Sequence, residues 1–214
     1  MKKIFLLILI QSFILSDTIG QENKFIPISS FGIRQGANVS FVDFSPTVST
    51  GILYGYNGGL VFRHVNEELF ALQVELNFTQ KGWIESLDTI PNTYNRKLSY
   101  IELPFLTQIF IGKRDVKYYL NLGPSVAYLI SEKENMTIGN EQYVREYYNK
   151  AINNKFDFSV VGEIGIRYDS KIGMFNMGIR YYYTMTNLFK YNSENTYEIS
   201  RNQTINIALT YFVF

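Results

Sequence analysis

Eight charged side chains at alternating positions are the residues of this sequence that could do chemistry. Each lies in a segment where apolar and polar residues alternate, and each falls on the polar side: Arg34, Arg63, Glu75, Glu102, Asp157, Glu163, Arg167 and Arg180. If these segments are the strands of a barrel, its inward face collects all eight. Because side chains just fill an eight-stranded interior, we predict that they pair into a structural plug. An ion or proton path through the interior is the alternative.

Catalysis and metal binding have little support in the sequence. His64 is the one histidine, and cysteine is absent. We expect His64 in a short turn, away from the serine and aspartate partners that a catalytic triad or a metal site requires. The sequence therefore predicts no catalytic residue, no metal site and no cofactor. A lipid hydrolase or acyltransferase that uses His64 is the enzyme hypothesis that stays open.

Aromatic residues in two long polar segments, 81–97 and 131–155, are the second group of candidate functional residues. In the later segment they lie among glutamates and an arginine, a mixture that suits contacts with a protein partner. For those of the earlier segment, an aromatic girdle at a membrane surface is the alternative to binding. The candidates for loop contacts are Trp83, Tyr94, Tyr143, Tyr147 and Tyr148.

Strict alternation from Phe70 to Gln80 indicates which elements must position these residues. The even-numbered residues from Phe70 to Phe78 are apolar and the intervening ones mostly polar, as in a strand whose successive side chains face opposite sides of a sheet. The segment also matches the roughly 9–11 tilted residues that carry a strand across the hydrocarbon of a bilayer. The pattern recurs and predicts eight strands: 31–41, 52–63, 70–80, 98–111, 116–130, 156–168, 175–186 and 202–214.

The connections between these strands alternate in length. Those after the first, third, fifth and seventh strands are long, and the other three are short. This alternation is typical of an up-and-down antiparallel barrel in a membrane, with long loops on one side and tight turns on the other. Both termini then lie on the short-turn side, which is the periplasm in an outer-membrane barrel.

A soluble barrel of the lipocalin type is the competing fold, since it also has eight antiparallel strands. It would carry its charges outside and an apolar cavity inside. Here the charges share one face of the strands and the opposite face is almost uncharged. Because an uncharged belt in water would be a large exposed apolar patch, we predict that this face contacts lipid.

Composition agrees with one membrane domain. The 214 residues are 46% hydrophobic and 18% charged, against about a quarter charged in soluble domains. The net charge of +1 shows no basic excess, so we expect no nucleic-acid partner. Residues 1–20 have the lysines, apolar run and small residues of a secretory signal peptide, and 21–30 form an N-terminal periplasmic lead before the barrel of residues 31–214.

Two local features interrupt the strand pattern. Pro104 and Pro124 lie inside predicted strands, where each removes a hydrogen bond of the ladder, so we expect local bulges. Asn57-Gly58 is a hairpin signal inside the second strand. We predict a continuous strand there, because each half of a split strand would be too short to span a bilayer.

Five segments spread over most of the chain carry a family resemblance: 72–82 (LQVELNFTQKG), 100–106 (YIELPFL), 120–130 (LNLGPSVAYLI), the strand with Asp157 and Gly162-x-x-Gly165, and the strand with Arg180-Tyr181. They resemble the PorT-like outer-membrane β-barrel family. The resemblance implies an integral barrel of about eight strands in the outer membrane of a Gram-negative cell. It also implies a role in protein export, which the founding member of that family has. The terminal Phe214 is similar to the C-terminal residue by which the barrel assembly machinery recognises such proteins.

Together these observations predict an all-β protein, an eight-stranded antiparallel up-and-down transmembrane β-barrel that acts as a monomer. We expect a non-enzymatic scaffold or binding protein, with outer-membrane lipid, the barrel assembly machinery and a protein at the long loops as its partners. A component of a protein export machinery, a narrow channel and a lipid-modifying enzyme are the alternatives.

Overall fold

Nine β-strands make up the fold in a computed structural model that describes residues 26–86, 93–112, 115–137, 145, 147–190 and 197–213. The predicted signal peptide and residues 21–25 of the predicted lead lie outside these ranges. Eight strands are long and one, β2, has two residues. The strands are β1 (Ile28–Ser45), β2 (Thr50–Gly51), β3 (Leu53–Val65), β4 (Phe70–Ser86), β5 (Thr93–Ile111), β6 (Val116–Thr137), β7 (Phe156–Ser170), β8 (Gly173–Thr184) and β9 (Ile199–Val213).

The eight long strands form a closed ring. Each pairs antiparallel with its neighbour in the chain, β1 pairs with β9, and the β4–β5 ladder leaves no open edge between them. The short strand β2 continues the β3 ladder along β4, where Thr50 lies opposite Glu85. The prediction of an eight-stranded antiparallel up-and-down barrel is confirmed.

Five strands, β1, β4, β5, β6 and β9, are longer than predicted on the side of the long connections. β4 ends at Ser86 instead of Gln80, β5 begins at Thr93 instead of Leu98, and β6 ends at Thr137 instead of Ile130. The prediction stopped where outward side chains turn from apolar to polar, whereas the backbone ladder continues beyond that point. Segments predicted as loops are therefore extensions of the barrel wall.

The outward face is apolar along the middle of the long strands, apart from Gln35 on β1. Leu60, Met177 and Ile164 are 62%, 63% and 64% exposed, which fits contact with lipid rather than water. Exposed aromatic rings lie on this face near both ends of the strands, as in the aromatic girdles of membrane barrels. They are Tyr54, Tyr56, Tyr128, Phe156, Phe158, Tyr181 and Tyr183 at the long-connection end, and Phe31, Phe62, Phe70, Tyr118 and Tyr168 at the other. No helix in the described part of the chain is long and apolar enough to cross a membrane.

The interruptions of the strand pattern have different outcomes. β3 runs through Asn57-Gly58 without a hairpin. The predicted bulges at the prolines are absent, because Pro104 pairs with Ser125 and the ladder resumes at Thr107 in the same register. The ladder loses pairs beside the prolines instead of gaining a residue, and the register shift lies between Ser99 and Tyr100.

Candidate functional site

The middle of the barrel interior is crossed by a layer of two arginines and two glutamates, Arg34, Glu75, Glu163 and Arg180, called here the central layer. The Arg180 guanidinium donates to both oxygens of Glu75 at 2.6 and 2.8 Å and to Glu163 at 2.6 and 2.8 Å. Arg34 donates to Glu163 at 3.1 Å and to Asn206 at 2.8 Å. The two cations balance the two carboxylates, and all four side chains are fully buried or nearly so.

Neutral donors complete the central layer. Each glutamate accepts from two of them, so that neither carboxylate depends on its arginines alone. The donors are Gln73 (2.6 Å) and Asn77 (2.7 Å) to Glu75, and Tyr119 (3.0 Å) and Asn121 (3.1 Å) to Glu163. The arginines, the glutamates and these four donors form one connected network of hydrogen bonds inside the barrel.

A pair of glycines makes room for Tyr119 in this layer. Gly165 and Gly178 lie opposite each other on β7 and β8. A Cβ atom added to either would lie 2.4 Å from the Tyr119 hydroxyl oxygen, closer than real contacts allow. The two glycines therefore form the surface against which the buried Tyr119 ring packs.

A second charged layer lies on the long-connection side of the central layer. The Lys81 ammonium is 3.2 Å from Glu102 and 3.9 Å from Asp157, and 4.9 Å from the ring centre of Tyr182. The prediction put Lys81 in a loop. It lies on β4 with the same inward parity as Glu75, which is the signal that could have identified it.

A third charged layer lies toward the short turns. Arg63 is fully buried and its guanidinium is 4.0 Å from the Phe212 ring centre. Arg167 is half-buried and pairs with Asp169 at 2.6 Å. No described carboxylate lies within 4 Å of Arg63, whose nearest polar contact is the Met174 sulfur at 3.1 Å. All eight residues of the predicted polar network therefore line the interior, but they form three layers rather than one cluster.

An aromatic cluster fills the long-connection end of the barrel, and we call it the cap. Trp83 is fully buried, and the Tyr94 and Tyr148 rings stack at 4.1 Å. Tyr147 stacks on Phe44 at 5.2 Å. The cap consists of Phe44, Trp83, Tyr94, Tyr147, Tyr148 and Phe189.

The placement of these aromatics as loop-surface contacts is wrong for the four that the structure describes. Trp83 lies on β4 and Tyr94 on β5, and both point inward because the strands continue past the predicted ends. Tyr147 and Tyr148 belong to the connection after β6, but their rings pack inside the barrel mouth. Tyr143 lies outside the described residues. The alternative of an outer girdle also fails for Trp83 and Tyr94.

One buried carboxylate organises the cap. Glu85 accepts hydrogen bonds from the Trp83 indole at 2.8 Å, the Arg145 guanidinium at 2.9 Å and the Tyr148 hydroxyl at 2.9 Å. The Tyr147 hydroxyl also donates to it. Burial, and then the negative charge of Glu85, raise the pKa of both tyrosines above its ordinary value. Sequence reasoning missed Glu85, although it shares the inward parity of Lys81 and Trp83.

His64 has a serine partner that the sequence did not lead us to expect. It lies on β3, and its Nδ1 atom is 2.9 Å from the Ser29 hydroxyl on β1. Both residues are on the outward face near the short turns. Within the described ranges, no carboxylate hydrogen-bonds to His64, and no three acidic or histidine side chains converge as a metal site. The pair thus lacks the third member of a triad.

Comparison with known proteins places the chain in a family. Residues 21–190 match the outer membrane protein beta-barrel domain. No curated protein matches.

Among solved structures, Neisserial surface protein A (NspA) is 14% identical, with 86% of this chain and 98% of that chain covered and a TM-score of 0.46. OprG from Pseudomonas aeruginosa is 13% identical, with 86% and 95% covered and a TM-score of 0.48. The outer membrane enzyme PagL is 11% identical, with 84% and 98% covered and a TM-score of 0.42. The family match covers most of the chain, and the sheet is closed with an apolar outer face. The chain therefore belongs to the outer membrane protein beta-barrel domain family and is an outer-membrane protein.

Proposed function

We propose that this protein is a non-conducting, non-enzymatic barrel that presents a rigid binding surface outside the cell. The observation that supports this most is that buried side chains occupy the interior at two levels. The central layer lies in the middle of the barrel, and the cap lies at the end from which the long connections leave. An interior occupied in this way favours the long connections and the strand extensions as the surfaces that carry the function.

The described residues of the connection after β6, 145 and 147–155, are well suited to bind a protein because hydrogen bonds hold them against the barrel mouth. Arg96 donates to the backbone oxygens of Tyr147 and Lys150, and Glu85 holds the rings beneath them. Asn149, Lys150 and Ala151 remain exposed on the outside. A loop fixed in advance loses little conformational freedom when it binds, which favours affinity.

Site-specific photo-crosslinking in intact cells tests the binding role. A benzoylphenylalanine at Ala151, which is exposed on the described part of that connection, is compared with one at Ile164, which faces lipid. We expect a discrete protein adduct at Ala151 that is missing at Ile164. The same adducts at both positions, or none at either, would contradict a protein-binding surface on this connection.

Planar-bilayer recording tests the closed interior against the channel alternative. In the central layer each arginine donates to a glutamate, and each glutamate accepts from an arginine. We expect no discrete conductance from the wild-type protein. Steady single-channel steps that Glu75→Ala or Arg180→Ala abolishes would favour an ion path instead.

Export is the second candidate function, and the resemblance of five segments to the PorT-like family favours it. An export component needs contacts with other machinery on the periplasmic side, where the short turns lie. A crosslinker at Glu67 or Lys171, both exposed in short turns, would then capture a protein that one at Ala151 does not. A failure to secrete cargo proteins in cells that lack this protein would support the same role.

Lipid modification has one observation in its favour, the Ser29–His64 pair. Since the pair lies near the short turns, a reaction there would act on lipid of the inner leaflet. We expect His64→Ala to leave the lipid composition of the outer membrane unchanged. Loss of one modified lipid species in that variant would favour the enzyme.

A further inference from the structure

The outward face of the strand extensions carries a polar groove with two lysines. Below it, toward the barrel middle, the outward residues of β4 and β5 are apolar, as Phe78 and Ile101 show. Above it they become polar, beginning with the Gln80–Ser99 pair. The groove encloses about 490 Å³ and is lined by Phe78, Gln80, Asn95, Lys97, Ser99, Ile130, Ser131, Lys133 and Asn135.

Lys97 and Lys133 lie directly opposite each other in the β5–β6 ladder. Like charges in this position repel and destabilise a strand pair. No described carboxylate lies within 4 Å of either ammonium, because the glutamates of this stretch face inward: Glu132 pairs with Arg96 and Glu134 accepts from Asn149. The groove therefore concentrates two positive charges that the described part of the chain leaves uncompensated.

The height of the lysines matches the headgroup layer of a bilayer. Lys97 is four residues above Ile101, about 13 Å along the strand and about 10 Å in height at the usual tilt of a membrane barrel. Each headgroup layer is about 5–8 Å thick. If the hydrocarbon ends at Ile101, the last apolar outward residue of β5 on this side, the long lysine side chains can place both ammonium groups within that layer. Both lysines line the groove together with Phe78 and Ile130.

We infer that this groove binds the phosphate of a phosphorylated lipid in the leaflet on the long-connection side. The two ammonium groups match the charge of a phosphate monoester. The amide groups of Asn95 and Asn135 and the hydroxyls of Ser99 and Ser131 supply further donors around it. The acyl chains of the lipid then contact the apolar face below Phe78 and Ile130. A free anion such as inorganic phosphate cannot make this contact. This binding is independent of any protein partner at the connection after β6.

The test measures lipid retained by the whole protein. The barrel is reconstituted in phosphatidylcholine nanodiscs that contain lipid A or its dephosphorylated form, then released and examined by native mass spectrometry. A lysine beside an anionic headgroup contributes about fivefold in binding, so Lys97→Gln with Lys133→Gln should lower lipid A retention about 30-fold. We expect the arginine double variant, Lys97→Arg with Lys133→Arg, to retain lipid A as the wild type does.

The control removes two exposed lysines from the same side of the membrane. Lys150→Gln with Lys155→Gln changes the net charge equally but leaves the groove intact, and should retain lipid A. A gel-mobility shift on boiling confirms that each variant is folded. Equal retention by the groove variant, or equal retention of dephosphorylated lipid, would overturn the inference. Displacement of lipid A by millimolar inorganic phosphate would also overturn it, because the groove would then be a site for a soluble anion.

Discussion

Replacement of Arg180 by methionine is expected to destabilise the barrel strongly. Arg180 is the hub of the central layer, where it makes five hydrogen bonds to Glu75, Glu163 and Tyr182. Without it, the two buried glutamates share one remaining cation, Arg34. Removal of one partner from a buried ion pair costs about 3–5 kcal/mol, because the other charge stays buried without compensation.

The cause of this destabilisation can be tested with a second variant that restores the charge balance of the central layer. Glu75→Gln in the Arg180→Met background leaves one arginine, Arg34, opposite one glutamate, Glu163. If charge imbalance causes the loss, the double variant is more stable than the sum of the two single changes predicts, by about 0.5–3 kcal/mol. A purely steric effect of the missing side chain predicts no such recovery.

Urea unfolding in lipid vesicles measures these free energies. Trp83 is the single tryptophan and lies in the cap, so its emission reports the long-connection end, while gel mobility without boiling reports closure of the whole barrel. An unchanged unfolding midpoint for Arg180→Met would refute the reasoning. So would a double variant that is no more stable than additivity predicts.

Three further changes test the cap and the glycine pair. Glu85→Gln should cost about 1.5–3 kcal/mol, the worth of a hydrogen bond to a charged group, and shift Trp83 emission to the red. Gly178→Ala should destabilise by about 1–3 kcal/mol through overpacking against Tyr119, as urea titration measures. Burial raises the folded-state pKa of the two cap tyrosines, Tyr147 and Tyr148. Their contribution to stability should therefore be intact below pH ~10, the ordinary tyrosine pKa, and decrease as the pH rises above it. Titrations that record tyrosine absorbance and gel mobility measure this.

Each of these has its own control. Glu85→Asp keeps the charge, so a red shift as large as that of the glutamine variant would implicate side-chain length instead. A Cβ at position 178 would lie 2.4 Å from the Tyr119 hydroxyl and 2.6 Å from Glu163 Oε1. Tyr119→Leu should therefore relieve part of the cost of Gly178→Ala, and an undiminished cost would contradict a contribution from Tyr119. For the cap tyrosines, ionisation at the same pH as exposed tyrosines, without loss of structure, would contradict the raised pKa.

The barrel and the inward side of its wall could be predicted because period-two alternation determines both at once. In β4, the alternation that makes Leu72 outward makes Glu75 inward, so fold and polar lining follow from one pattern. The alternation of long and short connections predicted the up-and-down order of the strands. These features depend on the local order of residues, which a single sequence contains.

The ends of the strands and the partners of each charge could not be predicted in the same way. The prediction ended β4 at Gln80 because polar outward residues resemble a loop, although Lys81, Trp83 and Glu85 keep the inward parity. Which arginine meets which glutamate depends on stagger around the ring. Arg180 and Glu75 are 105 residues apart in sequence and meet across the interior, a contact that alternation alone does not specify.

The strand extensions join the cap and the lysine groove through one sheet, so the two should be coupled. On β4 and β5, inward residues such as Glu85 and Arg96 hold the cap, while outward residues such as Lys97 line the groove. If the cap keeps this wall rigid, Glu85→Gln should lower lipid A retention although no groove residue has changed, because the two lysines would lose their fixed spacing. Native mass spectrometry of that variant decides: unchanged retention would mean that the backbone ladder alone holds the groove.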